Sequence, residues 1–148
     1  MIRVQAEAFD VAAELSQLKR GRTDIGGTVV FVGTVRDRND GAAVSQLTLE
    51  HYPGMTEKAL EEIDAEAHRR WPLLDTLIIH RYGKLELADD IVLVIATSAH
   101  RDAAFDACRF LIDWLKTKAP FWKLEGENWV AAKDSDDESS ARWNLSPL

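Results

Sequence analysis

The stretch Asp90-Ile91-Val92-Leu93-Val94-Ile95-Ala96-Thr97-Ser98-Ala99 decides the fold. It is apolar on both faces of a strand, whereas a strand with one wetted face alternates, so it belongs at the centre of a sheet covered on both sides. From Asp102 to about Lys118, Phe105, Cys108, Ile112 and Leu115 fall at i, i+3, i+7 and i+10, one face of a helix ended by Pro120. That helix supplies part of the cover. Upstream, Leu73 to Tyr82 is another strand, separated from the first by a turn region at Gly83 to Asp89.

Further out, Gly26-Gly27 opens a β-prone run, Thr28 to Val35, and Asn39-Asp40-Gly41 turns the chain into Val44 to Tyr52. Together these predict a long hairpin. Pro53 suits the first turn of a helix whose apolar positions Ala59, Leu60, Ile63 and Ala67 run until Trp71-Pro72. At the N-terminus, Ile2 to Glu7 alternates as a short strand, and Asp10 caps a helix through about Arg20 with Val11, Leu15 and Leu18 as its buried stripe. After Pro120 come an aromatic segment, Phe121 to Val130, and a polar tail over about 133–148, in which Lys133 to Arg142 suits a surface helix or disorder. The order β-α-β-β-α-β-β-α predicts an α+β sandwich with a largely antiparallel sheet, and 148 residues predict one domain over 1–148.

Composition narrows the function. A hydrophobic share of 46% with 29% charged residues is that of a soluble globular protein. The longest apolar run, Ile91 to Ala96, is far short of the about 20 residues that span a membrane, and the charged N-terminus does not suit a signal peptide. The expectation is a cytoplasmic protein without a membrane role. Eighteen Lys and Arg against 25 Asp and Glu give a net charge of −7, which offers a nucleic-acid backbone no general attraction. Cys108 is the single cysteine, so there is no internal disulfide and no Cys-rich zinc site, and no metal is implied. Its place on an apolar helical stripe disfavours a thiolate nucleophile. The phosphate loop, dinucleotide fingerprint, nucleophile elbow and HExxH motifs are all missing.

Four segments put polar groups at the ends of apolar elements. Gly33 to Asn39 ends a strand with Arg36 and Arg38, whose guanidinium groups suit phosphate, although a solvated hairpin end is the plainer explanation on residue types alone. His100 and Arg101 precede Asp102 at a helix N-terminus, where free N–H groups favour anions; a simple helix cap explains them as well. Lys116-Thr117-Lys118-Ala119-Pro120-Phe121-Trp122-Lys123 sets lysines beside aromatic rings, where partial desolvation lowers the pKa and makes an amine usable as a base or nucleophile near neutral pH, against the alternative of a basic helix end. Glu50-His51-Tyr52-Pro53-Gly54-Met55 suits a cleft wall or a structural turn equally, and His80-Arg81-Tyr82-Gly83 shares that ambiguity. His68, on a charged helix face, suits a surface residue.

Together these segments resemble the catalytic (large) subunit family of molybdopterin synthase. The resemblance rests on Phe31-Val32-Gly33-Thr34-Val35-Arg36 with Asn39 and Gly41, Glu50 to Met55, His80 to Gly83, His100-Arg101 with Ala104-Phe105, and Lys116 with Ala119 to Lys123. It implies an α/β hammerhead fold and a homodimer with a small ubiquitin-like sulfur-carrier subunit at each end, a heterotetramer in all. It also implies that sulfur passes from the carrier's C-terminal thiocarboxylate to cyclic pyranopterin monophosphate, so that no permanently bound cofactor is needed. By motif position the resemblance makes Lys116 the principal catalytic lysine and Lys123 its assistant. Arg36, His100 and Arg101 then bind the substrate's phosphate and pterin, with Arg38 and Lys118 as weaker candidates. A non-catalytic module receiving a partner's C-terminal carboxylate, and a metal-free phosphate-ester hydrolase, are the competing readings.

Overall fold

The stretch that begins at Asp90 is buried on both faces at the middle of a four-stranded sheet. The computed structural model describes residues 1–39, 42–43, 46–125, 128–130 and 143. In chain order the elements are β1 (Ile2–Gln5), α1 (Val11–Lys19), β2 (Gly27–Thr34), β3 (Arg38–Asn39), β4 (Ala42–Ala43), β5 (Gln46–His51), α2 (Met55–Arg70), β6 (Leu73–Arg81), β7 (Gly83–Glu86), β8 (Asp90–Ser98), α3 (Arg101–Lys118), β9 (Phe121–Glu125) and β10 (Asn128–Val130). The main sheet has the order β1-β6-β8-β2, and a second sheet has the order β10-β9-β5-β7. Among the described strand pairs only β1 against β6 is parallel, so the architecture is the expected α+β hammerhead-type sandwich with a largely antiparallel sheet and packed helices.

Period two explains the layers. Val92, Val94 and Ala96 of β8 face α2 and α3, where they pack with Leu60, Ile63, Ala67, Cys108, Phe110, Leu111 and Leu115. Leu93 and Ile95 face the other way, onto Val11, Leu15 and Leu18 of α1. Asp10 caps α1 as expected, its side chain accepting from the Ala13 N–H at 3.1 Å. A third, smaller cluster of Val35, Leu47, Leu49 and Leu85 joins the second sheet to the end of β2. Gly26 admits the close crossing at the other end, since a Cβ there would stand 2.0 Å from the Ala99 carbonyl oxygen. Among the described residues no helix is long and apolar enough to cross a membrane.

Four local expectations are corrected. The long hairpin does not form: β2 pairs with β8 and β5 pairs with β7 and β9. Among the described residues, a two-residue ladder of β3 with β4 joins the chain segments between them, and part of the expected turn lies outside those residues. The reason is the demand of β8, which is apolar on both faces and needs a hydrogen-bonded neighbour on each edge. Gly83 to Glu86 is a strand rather than a turn, because it pairs along the edge of β5 with Leu85 opposite Leu47 and fully buried. Helix α2 starts at Met55, with Gly54 as N-cap, so Pro53 precedes it. Phe105 is 60% exposed, because the buried face of α3 runs through Ala104, Ala107, Cys108, Leu111 and Leu115. The Lys133 to Arg142 expectation lies outside the described residues.

Phe110 is the largest fully buried side chain and a junction for the helical layer. Its ring meets Trp71 at 5.3 Å, Trp114 at 4.5 Å and Trp143 at 5.7 Å, and the Arg70 guanidinium lies 4.8 Å from its centroid. Trp143 is itself held by donating from Nε1 to Asp113 at 2.7 Å, while its carbonyl accepts from Arg70 at 2.8 Å. Phe110→Ala should therefore lower unfolding stability by about 3–5 kcal/mol in urea titrations. A loss below 1 kcal/mol would mean that the surrounding tryptophans close the gap.

Candidate active site

The end of the main sheet where β8 begins is built from four elements. β6 brings His80 there, opposite Val92, and α3 runs back over the sheet to bring Lys116 in its last turn. Ala119 ends α3, the chain reverses at Pro120, and β9 starts with Phe121. The Phe121 ring stacks on His80 with centroids 3.7 Å apart and planes 19° apart. From the other side β5 brings His51, paired across the ladder with Phe121, while Leu49 pairs with Lys123. Leu47, Leu49 and His51 share one face of β5, and Leu47 and Leu49 are buried on it, so His51, Phe121 and Lys123 point inward together.

One hydroxyl fastens this arrangement. Thr56, fully buried at the start of α2, accepts from the Tyr52 N–H at 3.0 Å and donates to the Pro120 carbonyl at 3.0 Å. It joins the turn after His51 to the turn before Phe121. His51 also stacks on Tyr82, with centroids 4.3 Å apart.

His80 is the electrostatic centre of the cluster. Burial pushes its pKa down to about 4, and the charges of Lys123, His51 and Lys116 act in the same direction, against a hydrogen bond to Arg81 that favours the proton. That bond runs from Nδ1 to the Arg81 carbonyl at 2.8 Å, and a carbonyl only accepts. Nδ1 therefore carries the hydrogen, and the ring is neutral at physiological pH. Lys116 and Lys123, which the resemblance pairs, do converge here: both lie close enough to His80 for their charges to oppose its protonation.

The other expected site residues divide by position. Arg36 is exposed just past Thr34, which pairs with Asp90, so it lies at this same end of the sheet. His100 and Arg101 are exposed at the N-terminus of α3, beyond Ser98 at the far end of β8. The 15 residues from Arg101 to Lys116 correspond to about 22 Å of continuous helix, so one chain does not bring the two groups together. Lys118 lies over the Trp114 ring, 5.7 Å from its centroid. Arg38 falls in β3, with its side chain outside the described residues.

Five other residues need comment. Residue types alone leave His51 and His80 open between site and scaffold, and both belong to the lysine cluster. The available signal for His51 was its place on an inward face otherwise made of leucines. Glu57, near His51, was not singled out at all. His68 is exposed on α2, as the surface reading expects, and its Nε2 donates to the Thr76 hydroxyl at 3.0 Å. Cys108 is buried with its thiol pushed up to about 12 by desolvation, in line with the expectation that it is no nucleophile.

A helix-covered sheet, a second sheet set across its end and two lysines over a neutral histidine define a mixed α+β protein with a site suited to anionic groups. The family model described as "MoaE protein" matches residues 4–118. The molybdopterin synthase catalytic subunits of Pseudomonas aeruginosa and Ralstonia nicotianae are 56% and 53% identical to this chain. The first match covers 96% of the chain and 97% of the relative, the second 97% and 84%. Among solved structures, the molybdopterin biosynthesis MoaE protein from Burkholderia ambifaria matches with a TM-score of 0.85 at 50% identity, over 99% of each chain. The chain belongs to the MoaE family of molybdopterin synthase catalytic subunits.

The neutral state of His80 makes a stability prediction. An unfolded histidine takes up its proton near pH 6.5, whereas folded His80 does so only near 4, so between these values the unfolded chain binds more protons. This contribution is fully present above about pH 6.5 and is lost as the pH falls toward 4. In urea titrations at pH 7.5, 6 and 5, wild type should lose stability more steeply than His80→Gln. Equal slopes would mean that His80 is not held neutral by the fold.

Proposed function

We propose that this chain transfers sulfur from the thiocarboxylated C-terminus of a small ubiquitin-like carrier subunit to cyclic pyranopterin monophosphate, forming the dithiolene of molybdopterin, with Lys116 as principal catalytic group and Lys123 as its assistant. The observation that carries this reading is the convergence of these two lysines, from α3 and β9, beside a histidine held neutral. Both the carrier tail and the phosphorylated substrate are anionic. A pair of ammonium groups next to a third cation would repel it, whereas a neutral imidazole leaves their charge directed at the reactants. Lys116 is exposed in the last turn of α3, which supports its meeting an incoming C-terminus and giving or taking a proton there. Sulfur arrives on the carrier, so the chain needs no permanently bound cofactor, and the reaction takes place in the cytoplasm.

The phosphate and pterin contacts fall to Arg36, His100 and Arg101. Since α3 holds His100 and Arg101 about 22 Å from Lys116 of the same chain, a second copy supplies them. The working unit is then a homodimer carrying a carrier subunit at each end.

The test is reconstitution with thiocarboxylated carrier and cyclic pyranopterin monophosphate, measuring molybdopterin as its fluorescent oxidised derivative. Wild type should give carrier-dependent product, and Lys116→Ala should remove nearly all of it while carrier binding stays largely intact. Loss of carrier affinity in proportion to activity would assign Lys116 to docking instead. Co-expressed Lys116→Ala and Arg101→Ala chains should recover a measurable share of activity, because mixed dimers rebuild one complete site. No recovery would place both groups in one chain's site.

A further inference from the structure

The lysine site contains a carboxylate–imidazole pair that sulfur transfer, as proposed above, does not use. His51 and Lys123 are diagonal neighbours across the β5–β9 ladder, because His51 pairs with Phe121 and Lys123 lies two residues further along the same face. Such neighbours are about 7–8 Å apart at the backbone, within reach of a long side chain. On its other side, His51 Nε2 stands 3.9 Å from Glu57 Oε1, within ion-pair distance and longer than a hydrogen bond. Glu57 is fixed in place, since its Oε2 accepts from the Gly54 N–H at 3.2 Å at the start of α2. Its Oε1 is buried and has no hydrogen-bond partner among the described residues.

A buried carboxylate oxygen without a donor is unusual enough to require an explanation. An N–H on His51 Nε2 would supply that donor and close the pair. His80 is less suited to carry a proton, because burial holds its ring neutral while its Nδ1–H is given to the Arg81 carbonyl. Of the two histidines, one is held by a carbonyl and the other faces a carboxylate. Among the described residues, the titratable groups near His51 include Glu57 of α2, Tyr82 and, in β6, His80, and the charges of Lys123 of β9 and Lys116 of α3 act on that same His80.

We propose that His51, oriented by Glu57, relays protons to and from the Lys123–Lys116 pair during sulfur transfer. It acts through the lysines and is a positioning and relay residue, not a catalytic one. Glu57, partly exposed at the start of α2, connects the relay to solvent. This inference rests on the lysine site proposed above.

The experiment uses the complex with thiocarboxylated carrier and compares wild type, His51→Ala, His51→Gln, Glu57→Gln and the double variant Glu57→Gln/His51→Ala. Both His51 variants should lower kcat by about 100-fold, the lower range for a lost proton-transfer group, with KM for the pterin changed less than about twofold. Added imidazole should restore His51→Ala in a saturable way and leave Lys116→Ala unchanged. The double variant should be no slower than His51→Ala alone, because the two residues act as a unit. Wild-type kcat in His51→Gln, or a loss in His51→Ala that imidazole does not restore although thermal unfolding is unchanged, would overturn the relay and leave His51 as packing against Tyr82. Wild-type turnover separates the two readings: with it, only the role of His51 is at stake, and without it the sulfur-transfer function falls as well.

Discussion

A strand buried on both faces can meet solvent only at its two ends, and β8 imposes that constraint on the whole molecule. Residues 92 to 98 are all buried, so helices must cover one side, a third helix the other, and hydrogen-bonded neighbours both edges. Polar chemistry is confined to what the ends can carry. At the starting end, β6, α3 and the second sheet deliver histidines and lysines. At the finishing end, the N-terminus of α3 carries His100 and Arg101. The length of α3, set by the strand it covers, keeps these two cation-bearing ends apart within one chain.

The second sheet contributes the rest of the site, and its attachment depends on few contacts. Val35 and Leu85 join it to the main sheet through apolar packing, while the Thr56 hydroxyl ties Tyr52 to Pro120. A threonine that both accepts and donates between two turns tolerates little change: valine would keep its shape but remove both bonds to the Tyr52 and Pro120 backbone. Thr56 thus influences the lysine site from the scaffold, by fixing where β9 begins relative to β5.

The elements that were legible in the sequence are those specified by local periodicity. The two-faced apolar run from Asp90, the Asp10 cap and the helix ended by Pro120 all form as their patterns indicate. The hairpin was not legible, because the partner of β2 is chosen by the needs of β8, some 60 residues away, and not by the Asn39-Asp40-Gly41 turn beside it. Phe105 satisfied an i, i+3 pattern yet lies outside, since small residues at Ala104 and Ala107 let the helix approach the sheet on a rotated face. At the site, residue types and family resemblance singled out Lys116 and Lys123. They did not separate His80, held neutral by burial and a carbonyl, from His51, which faces a carboxylate. That difference lies in which neighbours surround each ring, and three-dimensional packing alone decides it.

Cys108 has a consequence outside the fold. A protein that handles activated sulfur on another molecule risks diverting it to its own thiol as a mixed disulfide or persulfide. Here the one thiol lies beneath α3 against the Val94 carbonyl, 4.0 Å from its oxygen, and is shielded from such exchange. The same shielding should leave the native chain slow to react with maleimides and haloacetamides. A single cysteine introduced on an exposed surface would then be the one labelling position, available for attaching a dye or crosslinker without first replacing Cys108.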